Sequence, residues 1–373
     1  MLKRSILIGF SLLCFAEIFG QPQKYQKLQR YLNHAVNEGL SGVVILISDP
    51  NRGTWTGVAG YSKVETKEPM RDDRVFSLAS IGKMYNAVPI LKLAEEGKLR
   101  LDDRITKYLS QDITRGLPNG DRITIRHLLS HTAGLFNYES DPELISLYFS
   151  GKLKLDTFPR IEVLKKYVFG KASLCEPGLE FHYSSTHYLL LAMVADAVVP
   201  EGHSEYLRQL LRNHGFAKTS YRQTPEAHNV NYYGDLDQNG KLENLTVQTF
   251  ETTNWFTGDD GVYAPIREAE TFMRDLMHGR ILNKESLAQM QTWNNRAHPD
   301  YGLGLMADKS FPYKFLMGHS GRGIGVTTDL YYFPHKDRVV AIFCNTGLRA
   351  SAPEFRRAYN QMRTRIVKKL FLF

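Results

Sequence analysis

Apolar residues recur along this chain with two periods that alternate in blocks. Between residues 25 and 39, Leu28, Tyr31, Leu32 and Val36 fall at helical spacing. The next run, Gly42-Val43-Val44-Ile45-Leu46-Ile47-Ser48, is rich in strand formers. Asp49-Pro50-Asn51-Arg52-Gly53 carries turn chemistry, and residues 54–60 read as the returning strand. Residues 84–93 return to the helical period. Gly97 stands where that helix would end, and Pro89 should bend it or remove one hydrogen bond.

From about residue 100 to 240 the pattern is mainly helical with long connections, at 124–131, 161–169, 185–199 and 204–214. Asn- and Gly-rich turns dominate residues 232–261. Helical patterns at 267–278 and 284–290 precede strand patterns at 301–306, 314–317, 325–333 and 339–344, and a helix is predicted over 353–370. Strands near both ends, with a helix flanking each group, imply an α+β fold: one antiparallel sheet completed by both ends of the chain. The sheet part is expected at about 21–99 and 246–373, with a helical insertion at about 100–245. There is no internal repeat and no low-complexity segment.

Composition narrows the class. With 373 residues, 43% hydrophobic and 23% charged, the chain is of globular type and long enough for a large core. The net charge of +8 is spread along the sequence except at Arg363-Thr364-Arg365-Ile366-Val367-Lys368-Lys369. It therefore reads as surface charge, and no nucleic-acid partner is expected. Lys3 and Arg4, an apolar stretch from 6 to 19, and Gly20 ahead of Gln21-Pro22-Gln23 have the layout of a secretory signal peptide cleaved after Gly20. The stretch is short for a membrane span, so a secreted or periplasmic protein without a stable span is expected. Leu13 stands before Cys14, where a lipoprotein signal has a small residue, which argues against lipid attachment. Of the two remaining cysteines, Cys344 lies in an apolar strand pattern and reads as a buried thiol unpaired with Cys175.

Candidate chemistry centres on Ser80-Ile81-Gly82-Lys83 at the head of the 84–93 helix. Residues three apart on a helix share a face, so the Lys83 amine comes within reach of the Ser80 hydroxyl. Shielding from water lowers a lysine's pKa, which would let Lys83 act as a base toward Ser80. The helix N-terminus would favour negative charge developing beside the serine.

Several further segments occur in order: Gly97-Lys98-Leu99-Arg100-Leu101-Asp102-Asp103, Ile123 through Leu135 with His131-Thr132-Ala133-Gly134, Glu176-Pro177-Gly178 leading to Tyr183-Ser184-Ser185, Gly258-Asp259-Asp260-Gly261-Val262, Tyr301-Gly302-Leu303-Gly304 and Gly318-His319-Ser320-Gly321. Together with the Ser80 motif they resemble the serine β-lactamase and penicillin-binding-protein superfamily, in the branch of class C β-lactamases, D-Ala-D-Ala carboxypeptidases, D-aminopeptidases and related esterases. The resemblance implies a β-lactamase/transpeptidase-like fold and an acyl-enzyme on Ser80, with Lys83 as its partner in proton transfer and Tyr183 as general base and then acid. It places His319 beside the cleft, to donate to a substrate carboxylate or tune the proton network, and Ser320 and Gly321 against the substrate. The backbone N–H groups of Ser80 and Arg322 would form the oxyanion hole. Ser185 stands where many relatives carry Asn. Its shorter side chain should weaken recognition of amides relative to esters.

No metal or organic cofactor is implied. His127 and His131 are four apart without a third ligand nearby, and Asp235-Leu236-Asp237-Gln238-Asn239-Gly240 lacks the twelfth-position Glu of a calcium loop and reads as a hairpin turn. The expected function is a secreted serine hydrolase acting on small esters or D-amino-acid peptides and amides, with cell-wall fragments among candidate substrates. The alternatives are a true β-lactamase or D-Ala-D-Ala carboxypeptidase and, from another class, a protein that binds wall fragments without turnover.

Overall fold

The computed structural model describes residues 23–150, 152, 159–222, 229–255, 258–293, 300–309, 315–349 and 351–371; the leader segment, Cys14 and the first residue of the 314–317 strand pattern lie outside them. The chain enters an antiparallel sheet with β1 (Gly42–Asp49), β2 (Gly53–Lys63) and β3 (Glu68–Pro69). It then leaves for a small sheet of β4 (Val75–Ser77), β5 (Ser220–Tyr221) and β8 (Val262–Pro265), and for a hairpin of β6 (Tyr233–Gly234) and β7 (Glu243–Asn244). It returns with β9 (Asp300–Tyr301), β10 (Met306–Asp308), β11 (Leu316–Arg322), β12 (Thr327–Phe333) and β13 (Arg338–Cys344). The large sheet runs in the order β3-β2-β1-β13-β12-β11-β10-β9, so β1 from the start of the chain sits against β13 from its end, Val43 opposite Cys344.

Both faces of this sheet are covered, which is why β1 reads as an unbroken apolar run. Val43, Ile45 and Ile47 point to the side packed by the terminal helices Gln23–Asn37 and Pro353–Phe371, together with Val340, Ile342, Cys344, Tyr359 and Ile366. Val44 and Leu46 point to the other side, into a larger core shared with Phe76, Tyr85, Leu330, Ala341 and Phe343. The alternation follows the two-residue period of a strand, and each fully buried Leu or Ile contributes roughly 1.5–3 kcal/mol. Cys344 is buried on β13, and no disulfide joins it to Cys175.

Three stretches differ from the sequence expectation. The 301–306 strand is two short strands, β9 and β10, because Gly304 adopts a φ of +79° and the Gly302 N–H bonds to the Leu305 carbonyl at 2.8 Å. The 314–317 strand is displaced to 316–322, which puts His319-Ser320-Gly321 inside β11. The turn-rich region 232–261 contains a helix, Thr246–Trp255, whose four threonines and Asn disfavour a helix locally. Burial of Thr249, Phe250, Thr252 and Thr253 overrides that preference. The Asn239-Gly240 stretch follows a carboxylate, Asp235, that accepts from the backbone N–H groups of Asn239 (2.9 Å) and Gly240 (3.1 Å), the chemistry of a turn.

Candidate active site

Ser80 lies in a single 3-10 turn, Ala79–Ile81, that feeds the helix Gly82–Glu95. The helix is buried almost all round, so it is a core rod with its N-terminal end at the cleft. No side chain caps that end, and the Ser80 hydroxyl is left for chemistry. Ala79, just before it, has a φ of +47°, a left-handed conformation that costs a non-glycine residue of order 1 kcal/mol or more. β11 passes close by. A Cβ on Gly321 would lie 2.3 Å from the Leu78 carbonyl oxygen and 3.0 Å from the Ala79 Cβ, so only glycine lets the strand approach the nucleophile turn. The Thr328 hydroxyl on β12 ties the same Leu78 carbonyl down at 2.8 Å.

The predicted proximity of Ser80 and Lys83 is present: Lys83 Nζ is 3.4 Å from Ser80 Oγ. Lys83 is 1% exposed and also donates to the Asp259 carbonyl (3.3 Å), with the Asp259 carboxylate at 3.5 Å. The expected direction of its pKa is corrected. Burial alone would lower it, but Tyr183 as a phenolate, Asp259, Glu139 and Asp260 together hold the amine charged, well above the ordinary lysine value. Lys83 is a lysinium that orients and stabilises anions, not a free base.

Tyr183 is half-buried, with the Lys83 ammonium 5.1 Å from its ring centroid. Burial raises the phenol's pKa, and the Lys83 charge and hydrogen bonding with Ser80 and Lys83 work to bring it down. The net shift is upward, so Tyr183 can take the Ser80 proton only as a phenolate, the form that the Lys83 ammonium beside it stabilises. Its ring rests on His131, at a centroid distance of 4.3 Å, and edge-on to Tyr301 at 6.2 Å. His131 takes N–H bonds on Nδ1 from Ser184 (3.2 Å) and from His187 (3.0 Å), while His127 Nδ1 accepts from the Thr124 N–H at 3.3 Å. The two histidines therefore face different partners.

His319 and Ser185 also depart from expectation. The fully buried His319 bonds through Nδ1 to the Ser320 carbonyl at 2.7 Å; a carbonyl only accepts, so the proton is on Nδ1 and Nε2 accepts from the Tyr301 hydroxyl at 3.2 Å. Burial drives its pKa down to about 3. A neutral imidazole with both nitrogens engaged has no proton for a substrate carboxylate, and instead fixes Tyr301 against Tyr183. Ser185 is 1% exposed and its hydroxyl donates to Glu139 Oε1 at 2.8 Å. It sits one layer behind the cleft because Glu139, not Ser185, lines the cavity at Ser80.

That cavity is walled by Ser80, Arg322, Glu139, Asp259, Asp260 and Thr249, among others. Ser80 and Arg322 thus share it, as an oxyanion hole requires, while the Arg322 guanidinium turns away to Asp329 (2.9 Å) and the Gly321 and Thr328 carbonyls (2.8 Å each). Ser320 is half-exposed on the same strand, beside Gly321.

The acidic residues here carried no role in the sequence reading. Asp259 is 1% exposed and accepts from the Tyr138 hydroxyl at 3.0 Å. Burial and the nearby Glu139 push its pKa up to about 7 against the pull of Lys83. Asp260 is raised further by burial and by Asp259, whereas Glu139, against burial, is held low by Arg349 and Lys83. Two adjacent acids between glycines were a visible signal for Asp259 and Asp260. Glu139 and Arg349 had none, since they meet across 210 positions of sequence.

A serine held against a lysinium and a tyrosine at the head of a buried helix, beside the strand β11, is the apparatus of a serine hydrolase. The chain belongs to the β-lactamase family, whose model, described as Beta-lactamase, matches residues 25–361. Penicillin-binding protein 4* of Bacillus subtilis (strain 168) is 25% identical over 299 residues, 75% of this chain and 63% of that protein. The chain thus spans less than two thirds of the length of that curated relative. The structure of a D-stereospecific amidohydrolase from Streptomyces sp. superposes with a TM-score of 0.78 at 26% identity, covering 90% of this chain and 98% of that one. D-amino acid amidase from Ochrobactrum anthropi superposes with a TM-score of 0.77 at 21% identity, over 93% and 98%, a likeness of fold.

Proposed function

We propose that the chain hydrolyses small amides or esters, those of D-amino acids and short D-peptides foremost, through an acyl-enzyme on Ser80, and that it acts outside the cytoplasm after loss of residues 1–20. The contact of Ser80 Oγ with the Lys83 ammonium at 3.4 Å, in a cavity shared with Arg322, carries this reading. In the first step Ser80 Oγ attacks the substrate carbonyl carbon and its proton passes to Tyr183, which reacts as the phenolate of a Lys83 ammonium–Tyr183 phenolate pair. The backbone N–H groups of Ser80 and Arg322 take the developing oxyanion. The Tyr183 hydroxyl then returns that proton to the departing nitrogen or oxygen as the bond to it breaks, leaving the acyl group on Ser80. Water attacks the ester by the reverse proton path and frees the serine. Lys83 stabilises the tyrosinate before it takes the proton and again after it gives the proton up, and His319 acts at one remove by holding Tyr301 against the Tyr183 ring. The Streptomyces amidohydrolase, similar over most of both chains, supports the choice of D-amino-acid derivatives.

Intact-mass measurement after exposure to a fluorophosphonate, a penicillin, short esters and D-amino-acid amides tests the proposal. The expected result is one adduct on Ser80 with the fluorophosphonate, and turnover of D-amides or esters. A long-lived penicillin adduct with little amide turnover would favour a cell-wall peptidase. Binding of wall fragments with no adduct from any reagent would favour a non-catalytic protein. N-terminal sequencing of exported protein should give Gln21, and a start at Met1 would overturn the signal-peptide assignment.

A further inference from the structure

Beside the polar cavity at Ser80 lies a second one of about 230 Å³, lined by Leu144, Ile145, Tyr148, Phe149, Glu139 and Arg349. Glu139, Tyr148 and Arg349 belong to both and form the partition between them. The partition is built: Arg349 Nη1 bonds Glu139 Oε2 at 2.9 Å, Glu139 Oε1 is held by Ser185, and the guanidinium lies 5.6 Å from the Tyr148 ring centroid. The apolar wall comes from the helix Pro142–Phe149. Leu144 and Tyr148, one turn apart, are buried, while Ile145 and Phe149, also one turn apart, remain half-exposed.

Resting on acylation at Ser80 as proposed above, we infer that this second cavity receives an apolar side chain on the acyl half of the substrate, so that the preferred substrates are derivatives of aromatic or branched aliphatic amino acids. Three observations direct the assignment. The cavity lies directly behind the Glu139–Tyr148–Arg349 wall of the one that holds Ser80. Tyr183, which would protonate the leaving group, lines neither cavity, so a group reaching past Glu139 lies on the acyl side. The first cavity is walled by Glu139 and Asp259, whose carboxylates disfavour an anionic substituent, and it contains Thr249 Oγ1, buried and without a hydrogen-bond partner among the described residues. A neutral or cationic polar group next to the scissile carbonyl, such as an amino group, meets that hydroxyl and those carboxylates.

The test uses the full chain and a series of p-nitroanilides of D-alanine, D-leucine, D-phenylalanine and D-glutamate, with the L series alongside. In the preferred series, leucyl and phenylalanyl substrates should exceed alanyl in kcat/KM by about tenfold to a hundredfold, and the glutamyl compound should be poorest. Ile145→Trp, which fills the cavity, should bring the phenylalanyl-to-alanyl ratio to within about threefold of unity. Phe149→Ala, which widens it, should move the optimum to a larger naphthyl side chain, and serves if the first variant does not fold. Labelling by a small fluorophosphonate is measured in parallel. If wild type and variants label Ser80 while the ratios stay unchanged, or if the glutamyl compound matches the leucyl one, the subsite is overturned and the acyl-enzyme stands. If wild type does not label at all, both fall.

Discussion

Two buried carboxylates on opposite sides of the sheet live under opposite rules. Asp329, on β12, is fully buried and surrounded by donors: Arg322 at 2.9 Å, Arg363 at 3.0 Å, the Tyr359 hydroxyl at 2.8 Å and the Tyr331 hydroxyl at 3.1 Å. Burial alone would raise its pKa, but the two guanidiniums outweigh it and hold it low. Asp259, in the cleft, shares a single lysinium with Glu139 and Asp260, and its pKa rises to about 7. The comparison separates a charge buried for architecture from one buried for chemistry. The first is over-supplied with partners and cannot change state near neutrality, whereas the second is under-supplied and can.

The deepest break in this comparison is Ser80→Ala. It should abolish turnover and fluorophosphonate labelling while moving the thermal midpoint little, because the Ser80 hydroxyl caps no helix. Residual turnover at the wild-type rate would overturn the mechanism. Next come Lys83→Ala and Tyr183→Phe. Each should slow acylation by roughly a thousandfold or more, and the double variant should be little worse than either, since the two act as one unit. Stopped-flow acylation that showed fully additive losses would separate their roles.

On the other side of the sheet, Asp329→Asn leaves two guanidiniums without their carboxylate and should cost about 3–5 kcal/mol of stability by urea unfolding. The kcat/KM of the folded fraction should stay near wild type. Because the Asp329 pKa is depressed on folding, its contribution is present above the unfolded carboxylate value and is lost as pH falls through the folded one, so the variant should show a weaker acid limb of stability.

Asp259 sharpens the contrast through pH. Below about 7 it takes a proton and Lys83 loses its adjacent anion, so kcat/KM should rise as pH increases through about 7. In Asp259→Asn that inflection should vanish. An unaltered profile would show that some other group sets it. The smallest effect is expected at Ser185, which touches Glu139 from behind. Ser185→Ala should change the amide-to-ester ratio of kcat/KM less than about threefold, well below what a direct substrate contact would give.

Most of the sheet was legible because its signals are local. The apolar run at 42–48, the turn after it and the pattern at 339–344 each announce a strand within a few residues, and the terminal helices carry their own periodicity. The Ser80 to Lys83 contact was legible for the same reason, being fixed by helical spacing. What escaped is what three-dimensional closure supplies. The charge state of Lys83 depends on Asp259, Asp260 and Glu139, which come from two other parts of the chain, and the direction of its pKa reversed once they were in place. His319 was readable as a motif but not as a neutral ring, because its state follows from Tyr301 and from complete burial. Ser185 was misjudged because nothing in the sequence says that Glu139 stands in front of it.

The pairing of β1 with β13 also governs the order in which this fold is completed. Ser41, at the mouth of β1, bonds to Thr346, 305 positions later, and Arg322, whose backbone N–H is proposed for the oxyanion hole, lies on the same late-made block of strands. During synthesis from the N-terminus, Ser80 and its helix emerge long before any of this. On the proposed mechanism, Ser80 cannot act until β11 to β13 arrive, because the strand that carries Arg322 is among the last made. Over the same interval β1 presents an apolar strand with one edge unpaired, so the segment that delays activity is also the one that most needs shelter from aggregation before the sheet closes.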